Sequence, residues 1–174
     1  MAAIDQRVTG DVNVNLRLPQ RVLLGPGPSI ADPRVLRAMA APLVGHLDPE
    51  FLRLMNEIMA SLRAVFETEN RLTLPMSGTG SAGMETCLVN LLEPGDRAAI
   101  CINGVFGTRM ADIAERIGAE VTRIEAPWGR AFDPDDIRKA LAGKKHDVVA
   151  IVHAETSTGV LQPLEEIGKI VREH

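Results

Sequence analysis

Apolar side chains recur every three or four residues from position 51 onward, which is the spacing of one face of an α-helix. They are Phe51, Leu54, Met55, Ile58, Leu62, Val65 and Phe66. This pattern predicts a long amphipathic helix with one buried stripe, closed by residues 67–70. Two helix starts share a further signal, an aspartate before a proline, at 32–33 and at 48–49. The carboxylate can cap the first turn, and a proline there loses no hydrogen bond.

Beyond residue 70 the pattern alternates between short apolar runs and amphipathic stretches. The short runs predict strands at 72–76, 97–102, 120–124 and 147–152, and the stretches predict helices at 80–92, 107–117, 134–141 and from 164. Such alternation is typical of an α/β fold, with a mostly parallel sheet and helices on both of its faces. Residues 1–22 are predicted to form an extended arm, followed by a rigid, non-regular turn at 25–29.

Composition narrows the class of partner. The 174 residues suffice for one domain, and 19 basic against 23 acidic residues give a net charge of −4. This balance favours a small molecule or another protein over nucleic acid or a membrane surface. Cys87 and Cys101 lie within apolar runs and do not form a disulfide framework, so the cytoplasm is the expected location. The apolar runs are too short to span a membrane, and no metal site is predicted.

The segment Ser77-Gly-Thr-Gly-Ser-Ala-Gly83 lies between a predicted strand and a predicted helix. Glycines let backbone N–H groups approach an anion, hydroxyls add donors, and the helix presents its positive end, so the segment suggests a phosphate cradle. It also matches the dinucleotide pattern G-x-G-x-x-G. A dinucleotide site would place an acidic residue after the next strand, where Asn103 stands. A glycine-rich turn without a ligand remains an alternative.

Two further polar loops are expected at the carboxyl edge of the sheet, where open α/β sheets bind ligands. Residues 103–107 contain Phe106, one of only five aromatic side chains, which could stack on a flat ligand or pack a helix onto the sheet. Residues 153–159 carry more polar groups than a connection requires, although capping could explain some of them. Phe132, in the connection 128–133, is expected away from this edge. Together the loops suggest a flat, phosphorylated cofactor.

The sequence resembles the class V pyridoxal-phosphate aminotransferases. It is most similar to the N-terminal portion of the alanine/serine–glyoxylate (serine–pyruvate) aminotransferase group. The resemblance extends from about residue 20 to the end of the chain, in the order and spacing of that group. The motifs that carry it are LLGPGP at 23–28, GHLDPEF at 45–51, SGTGS at 77–81, LLEPGD at 91–96, NGVFG at 103–107 and ETSTGVLQP at 155–163.

The resemblance implies a pyridoxal 5'-phosphate enzyme of fold type I that is expected to form a homodimer. It also implies the site residues. Thr79, Gly80 and Ser81 match the loop that holds the cofactor phosphate, Phe106 matches the aromatic residue stacked on the pyridine ring, and Thr156 matches a hydroxyl residue that contacts that ring. Gly27 matches a turn that lines the substrate pocket. His46 matches a loop near the active site of the dimer, or is a surface loop residue.

No catalytic residue is assigned within the chain. Family members carry the Schiff-base lysine and the acid that pairs with the pyridinium nitrogen later in the sequence, so both are expected beyond His174. Lys139, Lys144, Lys145 and Lys169 are predicted to be solvated surface charges. We therefore interpret 23–174 as the N-terminal part of a large cofactor-binding domain, whose remainder and small domain are missing, and expect this segment alone to be inactive.

The implied activity is transfer of an amino group from alanine or serine to glyoxylate or pyruvate. The nearest alternatives are other class V enzymes, either similar to cysteine desulfurases or aminotransferases of purine breakdown. If 174 residues were the complete protein, a non-catalytic phosphate-binding or dimerising module would be a further alternative. A nicotinamide-dependent oxidoreductase is the third alternative function.

Overall fold

The structure, a computed structural model, describes residue 19 and residues 21–174. The predicted arm at 1–22 therefore lies almost entirely outside the described residues. The chain divides into two compact units, one ending at Ala41 and the other running from Pro42 to His174. The first unit contains bends at 25–28, as expected for a non-regular turn, and helix α1 (Pro33–Met39).

The second unit alternates helices and strands. Its helices are α2 (Pro49–Val65), α3 (Gly80–Leu91), α4 (Val105–Ile117), α5 (Pro134–Leu141) and α6 (Glu165–Glu173). Its strands are β1 (Arg97–Ile102), β2 (Glu120–Glu125), β3 (Val148–Ala150), β4 (Ala154–Glu155) and β5 (Val160–Leu161). Strands β2, β1 and β3 form a parallel sheet in that order, and β4 pairs with β5 as a short antiparallel hairpin.

The aspartate-proline pairs begin helices as predicted. The carboxylates of Asp32 and Asp48 each accept a hydrogen bond of 2.8 Å from the backbone N–H two residues on, and Asp133 does the same at 2.9 Å. In each helix the proline occupies the first turn. Hydrogen bonds from Arg34 also hold the pKa of Asp32 below its usual value.

Strand β1 separates two apolar cores, one on each face of the sheet. Because side chains alternate along a strand, Ala98, Ile100 and Ile102 point to one face, while Ala99 and Cys101 point to the other. Helices α3 and α4 cover the first face, and α5 and α6 cover the second. This arrangement confirms the predicted α/β class with helices on both faces.

The predicted strand at 72–76 is wrong. These residues belong to no strand, and Leu72 and Met76 are 81% and 51% exposed. A strand is stabilised by hydrogen bonds to a neighbour, and no strand in the described part of the chain pairs with this run. The stripe of apolar side chains on α2 is also less buried than predicted: Phe51, Met55 and Ile58 are half-buried, and Leu54 is exposed.

The third strand of the parallel sheet is shorter than predicted. Residues 148–150 form β3, whereas the apolar pattern indicated 147–152. The polar segment that follows contains the hairpin of β4 and β5, which the sequence did not predict. Two-residue strands are too short to show an alternating pattern, so the sequence carried no signal for them.

Both cysteines are free thiols. Cys101 is fully buried on β1, and burial raises its pKa to about 12. At neutral pH this thiol stays protonated and packs as a small apolar group. Among the residues described, none of the helices has the length and apolar character needed to cross a membrane.

Candidate functional site

The glycine-rich segment leads directly into α3. Thr79 is the residue before the helix, and its hydroxyl oxygen accepts a hydrogen bond of 3.4 Å from the backbone N–H of Ala82. Because the helix begins at Gly80, the N–H groups of Gly80 and Ser81 have no acceptor within the helix. A Cβ atom added at Gly80 would meet nothing within 4 Å. The start of α3 therefore has both the N–H donors and the space to bind an anion.

An arginine connects the start of α3 to the start of α4. The guanidinium of Arg109 donates a hydrogen bond to the hydroxyl of Ser81. The central carbon of the same guanidinium lies 5.3 Å from the centroid of the Phe106 ring, within the range of a cation–π contact. Phe106 itself is half-buried in the first turn of α4. The predicted phosphate loop and the predicted stacking ring thus lie together.

The third loop also joins the start of α4, through a buried carboxylate. One oxygen of Glu155 accepts hydrogen bonds from the backbone N–H groups of Phe106 and Gly107, at 3.0 and 3.3 Å. The other accepts from the backbone N–H and the hydroxyl of Ser157, at 3.2 and 2.5 Å. Thr156 lies between Glu155 and Ser157 in the chain, and it is exposed.

Two glycines allow these elements to approach one another. A Cβ atom at Gly104 would lie 2.4 Å from the side-chain carbons Cγ and Cδ of Glu155. A Cβ atom at Gly107 would lie 2.7 Å from the carbonyl oxygen of Cys101 and 2.9 Å from the Cα of Ile102. These distances are shorter than real Cβ contacts, so α4 can lie against β1 and Glu155 only because both positions lack a side chain.

The structure brings together most of the predicted cofactor residues. Thr79, Gly80, Ser81 and Phe106 are connected through Arg109, and the loop of Thr156 joins them through Glu155. Both predicted substrate residues are exposed. Gly27 is exposed in the bends of the first unit, and His46 is exposed in a turn ahead of α2.

Sequence reasoning missed Arg109 and Glu155. Arg109 stands three residues after Phe106 on α4, a spacing that places two side chains on the same helix face, so a helical projection could have found it. Glu155 belongs to a polar loop, and nothing in its neighbourhood in the sequence indicates that it is 1% exposed. Its donors come partly from residues almost fifty positions earlier, which only the fold brings close.

The placement of the 128–133 connection needs a correction. It was expected away from the carboxyl edge, yet the side-chain amide of Asn103 donates to the carbonyl of Arg130 at 2.8 Å. The N–H of Ala126 likewise donates to the carbonyl of Ile102 at 3.0 Å. Phe132 is a core residue, 5% exposed, on the opposite face from α4. The connection therefore passes, at Arg130, beside the edge where the polar loops lie.

A separate cleft of about 540 Å³ opens at the amino edge of the sheet. Arg97, Lys144, Lys145 and His146 line part of it. Partial burial lowers the pKa of His146. The cleft contains none of the predicted site residues, and its lysines are exposed. Within residues 19 and 21–174, no three His, Cys, Asp or Glu side chains are grouped so as to hold a metal ion.

The four lysines lie away from the three converging loops. Lys139 and Lys169 are exposed on α5 and α6, where they pair with Asp136 at 3.5 Å and Glu166 at 3.3 Å. Lys144 and Lys145 precede β3, at the amino edge. Each is solvated, as expected for surface charges.

The chain is similar to known proteins of one family. The family model "Aminotransferase class-V" matches residues 22–174. The (S)-ureidoglycine–glyoxylate transaminase of Bacillus subtilis (strain 168) is 47% identical over 154 residues, which cover 88% of this chain and 37% of that protein. The alanine–glyoxylate aminotransferase of Rattus norvegicus is 45% identical over 155 residues, which cover 89% and 37%.

Solved structures show the same group. The crystal structure of alanine–glyoxylate aminotransferase from Nostoc sp. superposes with a TM-score of 0.90 at 49% identity, covering 99% of this chain and 45% of that one. The chain thus spans less than half the length of these relatives. The family match removes the nicotinamide alternative and confirms the fold of the pyridoxal-phosphate aminotransferases. The match over residues 22–174, together with the fold, shows that the chain belongs to the class-V aminotransferase family.

Proposed function

We propose that the three converging loops hold pyridoxal 5'-phosphate, the cofactor on which class-V aminotransferases depend. The observation that carries this proposal is the contact from Ser81 through Arg109 to Phe106, because it places anion donors beside an aromatic ring. A phosphorylated pyridine needs both. The exposed hydroxyl of Thr156 would serve as a polar contact for the ring.

The chemistry of the donors suits a phosphate group. The free N–H groups of Gly80 and Ser81 and the hydroxyls of Thr79 and Ser81 are all able to donate hydrogen bonds. The positive end of the α3 dipole favours an anion at this point. Arg109 adds a full positive charge next to Ser81. The space around Gly80 leaves room for the group to approach.

We further propose that the whole protein transfers an amino group from alanine or serine to glyoxylate or pyruvate. The names of the similar proteins share glyoxylate as acceptor and differ in the donor, which is alanine in one and ureidoglycine in the other. The bound cofactor would supply an electron sink for the substrate's Cα–H bond. The residues of this chain would bind and orient that cofactor. Since its four lysines are surface charges, the base that moves the Cα proton is proposed to lie elsewhere in the protein.

The remaining assignments are proposals of the same kind. Gly27 and His46 would contact substrate, and 23–174 would form the N-terminal part of the large cofactor-binding domain after an arm at 1–22.

A homodimer is supported by the apolar side chains on either side of His46, since Leu43 is fully exposed and Leu47 is 75% exposed. Light scattering on the purified protein would give its mass in solution. The free thiols support a cytoplasmic location.

An amino-transfer assay tests the proposed activity. The whole protein, loaded with pyridoxal phosphate, should form glycine from glyoxylate with alanine or serine as donor, at a rate well above that of the free cofactor. Ureidoglycine as donor, and pyruvate as acceptor for serine, complete the comparison. Protein that binds the cofactor yet produces neither glycine from glyoxylate nor alanine from pyruvate with any of these donors would contradict the proposed reaction while leaving the cofactor site in place.

The Phe106 ring offers a second prediction. Stacking is worth on the order of 1 kcal/mol beyond area burial, so Phe106→Ala should raise the dissociation constant for pyridoxal phosphate about fivefold or more. Phe66→Ala removes a ring that is 71% exposed at the end of α2 and should leave the constant unchanged. Fluorescence titration of both variants measures it. Equal constants in the two variants would assign Phe106 to packing alone.

A further inference from the structure

Glu155 is the one charged residue among the buried polar residues of the described chain, at 1% exposure. Burial of a carboxylate is unfavourable unless its oxygens are hydrogen-bonded. Here each oxygen accepts two hydrogen bonds, from Phe106 and Gly107 on one side and from two groups of Ser157 on the other. All four partners are donors, and an ionised carboxylate only accepts, so each of the four hydrogen bonds has a donor and an acceptor.

These hydrogen bonds join two loops that are distant in sequence. Helix α4 has no capping side chain of its own, because its first residue follows Gly104. The carboxylate of Glu155 supplies the cap from outside, and its negative charge lies at the positive end of the helix. Ser157 extends the connection, since its hydroxyl accepts a hydrogen bond of 3.0 Å from the N–H of Val105.

The position of the Phe106 ring therefore depends on Glu155. The backbone N–H of Phe106 is one of the four donors, so the carboxylate fixes the turn that carries the ring. The same carboxylate holds Ser157, directly after Thr156. Gly104 provides the space, because a Cβ atom there would overlap the Glu155 side chain.

We propose that Glu155 is a positioning residue for cofactor binding, which sets the Phe106 ring and the Thr156 hydroxyl in a fixed relation to each other. This inference rests on the proposed cofactor site. The side-chain hydrogen bonds of Glu155 go to Phe106, Gly107 and Ser157, and three of the four donors are backbone N–H groups, so it acts through the backbone of the two loops. A change at Glu155 should consequently alter how the cofactor is held as well as how stable the protein is.

The test uses Glu155→Gln in the whole protein. Glutamine keeps the shape, but its amide nitrogen must face two of the four donors, which leaves buried N–H groups without acceptors. The dissociation constant for pyridoxal phosphate should rise roughly tenfold. The visible circular dichroism of the bound cofactor, measured at saturation, should also change, since it reports the orientation of the ring. Glu155→Asp keeps the acceptors and should recover part of both signals.

Gln162 provides the matched control. It is equally buried, and its side chain makes three hydrogen bonds to the backbone of Phe132 and Pro163. Gln162→Leu should lower the melting temperature and leave the affinity and dichroism of the cofactor unchanged.

Ser157→Ala is a second test variant if Glu155→Gln does not fold, because Ser157 is exposed. It should weaken binding in the same direction by about threefold.

The outcomes separate the two proposals. Wild-type protein that binds the cofactor, together with Glu155→Gln of unchanged affinity and dichroism, would overturn the positioning role and leave the cofactor site in place. Equal shifts in Gln162→Leu and Glu155→Gln would assign the effect to general destabilisation and overturn it as well. Wild-type protein that binds no pyridoxal phosphate would overturn the proposed function, and this inference with it.

Discussion

Gly80→Asp should abolish retention of pyridoxal phosphate by the whole protein. The new carboxylate would stand at the first position of α3, beside the N–H groups proposed to hold the phosphate. Two like charges about 4 Å apart repel by about 4 kcal/mol at an effective dielectric constant of 20. The dissociation constant should therefore rise by roughly 100-fold or more. Absorbance of the cofactor after gel filtration measures its retention.

The structure predicts that this loss does not come from misfolding. A Cβ atom at Gly80 meets nothing within 4 Å, and an aspartate in the first turn of a helix is favourable. Gly80→Asn is the matched control, because it has nearly the same shape without the charge. It should bind the cofactor far better than Gly80→Asp and melt at a similar temperature. If both variants retained the cofactor equally, the phosphate would not lie at the start of α3.

Gly107→Ala should destabilise the protein by about 3 kcal/mol, as overpacking of a tight contact does. The added methyl group would meet the backbone of Cys101 and Ile102 on β1, which cannot move aside as a flexible side chain could. Helix α4 must then shift away from the sheet and disturb the core of Ile100 and Ala111. Urea unfolding of the cofactor-free protein measures the change in free energy.

Gly83→Ala is the control for this substitution. Gly83 also lies in a helix, but a Cβ atom there meets nothing within 4 Å. Alanine in the interior of a helix is favoured over glycine by about 0.5 to 1 kcal/mol, so this variant should be as stable as the wild type or slightly more so. If Gly107→Ala unfolded at the same urea concentration as Gly83→Ala, the close approach of α4 to β1 would be contradicted.

The sequence predicted those elements whose signals are local. The aspartate-proline pairs cap α1, α2 and α5, and the alternating pattern predicted β1 at its observed bounds. The run at 72–76 was wrong because an apolar stretch shows that a segment can be buried, whereas a strand also needs a partner. That information lies in the rest of the fold and is absent from the segment itself.

The candidate site was predicted in part for the same reason. Glycines and hydroxyls at 77–81 indicate an anion site by their own chemistry, and Phe106 is noticeable because aromatic residues are scarce. The connections between the loops depend on Arg109 and Glu155, whose partners are 28 and 49 residues away. A charged residue in a loop is usually solvated, so Glu155 would not be singled out before the fold placed its partners, whereas Arg109 shares a helix face with Phe106 and could have been found from that spacing.

The most direct test of the cofactor site is a crystal structure of the whole protein grown with pyridoxal phosphate. We expect phosphate density within hydrogen-bonding distance of the N–H groups of Gly80 and Ser81, with the pyridine ring stacked on Phe106. The amino-edge cleft lined by Lys144, Lys145 and His146 provides the contrasting location. Cofactor density in that cleft, with none at the start of α3, would contradict the assignment of the three loops.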